Sequence, residues 1–142
     1  MLHKSSTAGW REIGGRKIYF RSQWEHNYCL WLQFQKERNM IHDWEHEPKT
    51  FWFEDIKRGV RSYLPDFKIW EHESAWHWVE VKGYWDSKSL TKVKRFMKYY
   101  PDEKLVLIDS KWFAANSDKL KLIIPGWEVG DAPKFKKKVE YV

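Results

Sequence analysis

Two short stretches decide the fold, Tyr63-Leu64-Pro65-Asp66-Phe67 and Val79-Glu80-Val81-Lys82-Gly83. In the second, the β-branched Val79 and Val81 alternate with Glu80 and Lys82. A strand places residues i and i+2 on one face, so the acid and the lysine point together while the valines turn to the core. Asp66 precedes Glu80 by 14 positions. That spacing predicts two antiparallel strands, over residues 60–70 and 76–82, joined by the polar turn at residues 71–75. Asp66 and Glu80 then converge. Converging carboxylates suit a hard divalent cation with oxygen ligands, and the ammonium of Lys82 can polarise a water or balance developing charge.

Upstream, Gly14-Gly15 supplies the positive φ angles of a tight hairpin turn within Arg11-Glu12-Ile13-Gly14-Gly15-Arg16-Lys17-Ile18-Tyr19-Phe20. Ser22 is placed to cap a helix over residues 22–38, with Trp24, Tyr28, Trp31, Leu32 and Gln35 in a near-helical stripe and Asn39 as its stop. Residues 41–47 and 50–54 read as strands, limited by Pro48 between them. Asp86-Ser87 caps a helix with an apolar face of Leu90, Val93, Phe96 and Met97, ending at Pro101. The apolar run Leu105-Val106-Leu107-Ile108 suits a strand buried on both faces, and residues 120–124 read as a further strand. The sum is one α/β domain over residues 1–142, a central mixed sheet flanked by helices. Residues 1–16 form an N-terminal extension with the hairpin, and residues 128–142 a basic tail containing Lys136-Lys137-Lys138.

Size and charge narrow the function. The 142 residues suffice for one sheet-and-helix core, and a net charge of +6 favours a polyanionic partner. Eleven tryptophans exceed what such a core needs, which predicts half-exposed rings for stacking or for an interface. A single cysteine, Cys29, permits no internal disulfide and points to a reducing compartment. No apolar run approaches a membrane span, and the start Met1-Leu2-His3-Lys4-Ser5 lacks a signal-peptide core. These features predict a soluble intracellular protein. There is no glycine-rich phosphate loop and no nucleophile elbow, so nucleotide hydrolysis and serine chemistry have no support.

Other residues are candidates beside the central pair. Glu25 is either a first-turn acid favoured by the helix dipole or a further carboxylate aimed at the site. Glu45 and Glu47 flank His46 on a strand, forming a solvated edge unless Glu45 reaches the same site. His42, His46, His72 and His77 alternate with Trp and Glu, without the paired spacing that zinc requires. Cys29 reads as packing. Arg11, Arg16, Lys17 and Arg21 gather near the hairpin and the first helix. Lys88 and Lys92, one helical turn apart and close to Lys82, are candidates for phosphate contacts, while Lys94, Arg95 and Lys98 read as a solvated face.

Taken together, Phe20-Arg21-Ser22-x-x-Glu25, Trp44-Glu45-x-Glu47, Tyr63-x-Pro65-Asp66-Phe67 and Val79-Glu80-Val81-Lys82-Gly83-x-Trp85 resemble the PD-(D/E)xK nucleases. Within that superfamily the order and spacing are similar to phage Holliday-junction resolvases of the endonuclease I type. The resemblance covers residues 17–110. It implies a restriction-endonuclease-like core and Mg²⁺- or Mn²⁺-dependent cleavage of DNA phosphodiesters. It also implies a phage-encoded homodimer, acting in a bacterial cytoplasm, whose two sites nick opposing strands of a four-way junction. By position, Asp66 and Glu80 bind metal, Lys82 assists the attacking water, Glu25 completes the site and Glu45 is an extra carboxylate. Residues 1–16 and 118–142 have no counterpart in the resemblance. The same core serves sequence-specific nicking, homing and repair endonucleases, and as a third reading the fold is a DNA-binding module without catalysis.

Overall fold

The computed structural model describes residues 8–129. Its first hairpin pairs β1 (Gly9–Ile13) with β2 (Arg16–Phe20), closing Ile13 against Arg16 across the two glycines. Gly14 and Gly15 have φ of 61° and 80°, which favours residues lacking a Cβ. Helix α1 (Gln23–Glu37) follows. The Ser22 hydroxyl accepts the Glu25 N–H at 3.1 Å, and Asn39 ends the helical run in the left-handed region at φ 59°.

The main sheet contains β3 (Asp43–His46), β6 (Phe67–His72), β7 (Ala75–Val81) and β8 (Leu105–Ile108), hydrogen-bonded in the order β3-β6-β7-β8. The first three are antiparallel, and β8 runs parallel to β7. A parallel neighbour requires a crossover, supplied by helix α2 (Ser87–Tyr99), whose N-cap Asp86 accepts the Ser89 N–H at 2.8 Å. The described residues thus form a small α/β domain with a mixed sheet and three helices, the last being α3 (Ser110–Ile123).

Period-two alternation sends the strands' side chains into two apolar clusters. Trp44, Phe67, Ile69 and Val79 join Phe20, Tyr28, Leu32 and Phe113 from the hairpin, α1 and α3. On the other side, Trp78 joins Tyr63, Phe51 and Phe96, the last from α2. Glu80 and Lys82 share the parity of Trp78, so they belong to the α2 side of β7.

Three expectations are corrected. Residues 60–70 are not one strand. Leu64-Pro65-Asp66 interrupts it, because Pro65 has no N–H to donate to a ladder, and the halves join different sheets. Thus β5 (Ser62–Tyr63) pairs with β4 (Phe51–Trp52), while β6 pairs with β3 and β7. Secondly, among the described residues β8 is an edge strand rather than one buried on both faces, and its Leu107 is exposed. Thirdly, residues 120–123 belong to α3 and Ile124 is its C-cap. Asp109 caps that helix, and Phe113 and Leu120, seven residues apart, are its buried positions. Residues 1–7 of the extension and 130–142 of the basic tail lie outside the described residues. No helix among the described residues is long and apolar enough to cross a membrane.

Candidate functional site

The register pairs Phe67 with Val79, so Asp66 and Glu80 lie side by side where the β6–β7 ladder ends. The Val81 N–H donates to Asp66 Oδ2 at 2.8 Å, tying the aspartate to the neighbouring strand. Pro65 contributes by ending the preceding ladder, which frees Asp66 to turn into the gap. Glu25 comes from the first turn of α1. It lines one cleft with Asp66, Glu80, Lys82, Arg21 and Trp24, of about 290 Å³. An adjoining cleft on the α2 side is bordered by the same Asp66, Glu80, Lys82 and Arg21, together with Glu47, Tyr63 and Lys92. The acids therefore form the wall between two openings.

Each of these carboxylates is held by a separate donor. Buried Tyr63 donates its hydroxyl to Glu80 Oε1 at 2.8 Å. His46 Nε2 lies 2.6 Å from Glu25 Oε2, and the Arg21 N–H reaches Glu25 Oε1 at 3.3 Å. Arg21 also forms an ion pair of 2.7 Å with Glu47, whose own N–H donates to the Asp66 carbonyl at 2.8 Å. Burial, then the charges of Glu80 and Glu25, holds the Asp66 carboxyl well above the usual carboxylate range. Burial raises Glu80 in the same direction, against the Tyr63 hydrogen bond and the charge of Lys82. The Tyr63 hydroxyl is raised by burial and then by the Glu80 charge, so it remains a donor. Crowded, desolvated carboxylates of this kind are relieved by a proton or a cation, and their oxygens are the donors that a hard divalent ion takes. The donor set fits such an ion.

Among the expected site residues, the structure brings together Glu25, Asp66, Glu80 and Lys82. It does not bring Glu45 to them. Glu45 is exposed and opposite Lys68 in the β3–β6 register, bordering a groove with Lys17, Tyr19 and Pro48. The acid beside the site is Glu47, two residues further along, where β3 has ended and φ has turned to 48°. His46, read from the sequence as a strand residue, is a direct partner of Glu25, and Tyr63 of Glu80. A signal for Tyr63 existed in its spacing to Pro65-Asp66; none marked His46.

The expected DNA contacts divide as well. Arg21 and Lys92 border the acidic clefts, and Lys88 is exposed on the first turn of α2. Lys17 is exposed beside the Trp10 ring. Arg16 binds Asp43 at 3.0 Å and stacks over Trp44, and Arg11 binds Glu128 at 2.8 Å, so both are engaged within the fold. Cys29 is buried, its thiol pushed well up by burial, in keeping with packing.

A comparison with curated proteins finds no match. The model of one family, DUF1064, described as a protein of unknown function, matches residues 9–120, from the first hairpin to the buried Leu120 of α3. That span holds the whole sheet and every acid of the cleft, and the chain belongs to this family.

Proposed function

We propose that this protein is a metal-dependent DNA endonuclease on a restriction-endonuclease-like core, selective for branched DNA such as a four-way junction. The observation that carries the reading is the convergence of Glu25 from α1, Asp66 from the turn before β6 and Glu80 from β7 on one cleft that Lys82 also lines. Asp66, Glu80 and Glu25 are the residues that would hold Mg²⁺ or Mn²⁺. Such an ion supplies Lewis acidity toward a phosphate and a more acidic water.

The chain's own groups set the geometry of the reaction. The Val81 N–H holds Asp66 through Oδ2 and the Tyr63 hydroxyl holds Glu80 through Oε1, fixing both carboxylates at the cleft. Lys82, two residues beyond Glu80 on the same strand face, is positioned to orient the attacking water and to offset charge on the phosphate. Lys92 and Arg21, which border the same cleft as the carboxylates, supply positive charge to a phosphodiester entering it. The structure-selective substrate and the homodimer rest on the sequence resemblance.

The deciding experiment incubates the purified chain and Mg²⁺ with a four-way junction, a fork, a mismatch, linear duplex and single-stranded DNA. Symmetric nicks in the junction, absent in EDTA, are expected. Nicking of linear duplex at one sequence would favour a site-specific enzyme. DNA binding without cleavage in either Mg²⁺ or Mn²⁺ would defeat the enzyme.

A further inference from the structure

We propose that Glu25, His46 and Glu47 form a second divalent-cation subsite beside the Asp66–Glu80 pair, preferring Mn²⁺-like transition ions to Mg²⁺ through its imidazole ligand. One ligand atom from each of the three residues lies within 4.8 Å of the other two, close enough for a single ion. The set is mixed rather than purely acidic, with two carboxylates and one ring nitrogen. Imidazole favours transition ions, whereas Mg²⁺ keeps to oxygen and water.

The nitrogen is fixed in place. The His46 side chain is about one-tenth exposed, with its ring 5.3 Å from the ring of Phe20 and 5.3 Å from that of Phe67. Its Nε2 is the atom that faces Glu25 Oε2, at 2.6 Å. Two electron-pair donors that close require a positive species between them. A proton serves in the metal-free chain, and with His46 in the Nδ1–H tautomer a cation can take its place. Arg21 already places positive charge here, donating its backbone N–H to Glu25 and its guanidinium to Glu47. The Arg21 side chain is 67% exposed, and water screens an ion pair to so exposed a guanidinium, so an arriving cation displaces it readily.

Glu25 would face both cations, but the subsite requires neither DNA nor cleavage. Mn²⁺ titrated into the full-length chain and followed by electron spin-echo spectroscopy reports whether a nitrogen is bound to the ion. Nitrogen coupling is expected in the native chain, lost in His46→Gln, and kept in the Asp66→Asn/Glu80→Gln double variant. Circular dichroism checks the fold of each. Glu47→Gln, at the solvent end of the cluster, should weaken Mn²⁺ binding at least about tenfold while the coupling persists at saturation. Coupling absent from the native chain, present in His46→Gln or absent from the double variant overturns the subsite, as does unchanged affinity in Glu47→Gln. If coupling behaves as expected but no DNA is cleaved, the nuclease reading fails and the subsite stands.

Discussion

Asp66 concentrates the chemistry of the cleft in one residue, and its protonation can be tested without a substrate. Burial and the charges of Glu80 and Glu25 raise its carboxyl well above the usual range. The folded, metal-free chain therefore holds that proton more tightly than the unfolded chain does. The stability linked to it is full at low pH and is lost as pH rises from the ordinary aspartate value, about 3.9, through the raised one. Asp66→Asn carries no such charge. In EDTA the variant should match the native chain near pH 3 and exceed its stability increasingly toward neutrality, as denaturant titrations at each pH would show. A gap that does not change with pH would contradict the buried-carboxylate assignment. Added Mg²⁺ should stabilise the native chain and not the variant. On the proposed function the same variant loses cleavage by at least about a hundredfold, measured on the preferred substrate. The convergence of Asp66, Glu80 and Lys82 was legible in the sequence because alternation fixes a strand face and the spacing of the two segments sets them side by side, whereas the ladder break at Pro65 was not read. Parity could not separate Glu45 from Glu47, which share a face until the strand ends; only the β3–β6 register puts Lys68 opposite one and Asp66 beside the other. His46 left no trace because its role depends on an α1 residue 21 positions away.

At the level of elements, α2 links the core to the cleft. Phe96 is fully buried against Phe51, Tyr63 and Tyr100, while Lys92, one turn earlier, borders the acids. Phe96→Ala should cost about 3–5 kcal/mol in a denaturant titration, since a rigid aromatic pocket collapses poorly around the lost ring. Lys92→Ala should leave stability nearly unchanged and weaken binding to every DNA by a similar factor, as expected of a phosphate contact. A shift in preference among DNA shapes with unchanged affinity for duplex would make Lys92 a reader of shape instead. The hairpin, α1 and α2 could be read from their turns and caps, signals confined to a few neighbouring residues. The fate of 120–124 could not. Its apolar run follows Asn116-Ser117-Asp118, which resembles a loop, and the helix is decided by packing of Phe113 on Trp24 with ring centroids 4.5 Å apart. Likewise, an apolar run cannot reveal that β8 lies at the edge of the sheet formed by the described residues, because nothing in it specifies a strand's neighbours.

The whole molecule carries a net charge of +6, and on the proposed function its DNA binding is set by counterion release. The logarithm of affinity should fall linearly with the logarithm of salt, by roughly 0.9 for each phosphate neutralised on duplex DNA. Two nicks related by a two-fold axis require two cleft sets, and each chain holds one, so symmetric junction cleavage calls for a closed dimer. The tryptophans bear on where it would form. Trp24 is stacked on Phe113 and Trp31 on Phe34, which commits both to packing within the chain. Trp10 is 62% exposed and Tyr19 43%, paired edge-to-face at 5.5 Å across the β1–β2 hairpin. Aromatic residues of this kind anchor interfaces, so the hairpin is the surface expected to meet a second copy. Light scattering should give a dimer, and Trp10→Ala with Tyr19→Ala should shift it toward monomer while leaving the cleft and its cation binding intact. The double variant should then nick one strand of a junction per encounter instead of two. A native chain that is monomeric both free and on junction DNA would exclude paired cleavage and leave a single-strand nicking enzyme as the activity of this cleft.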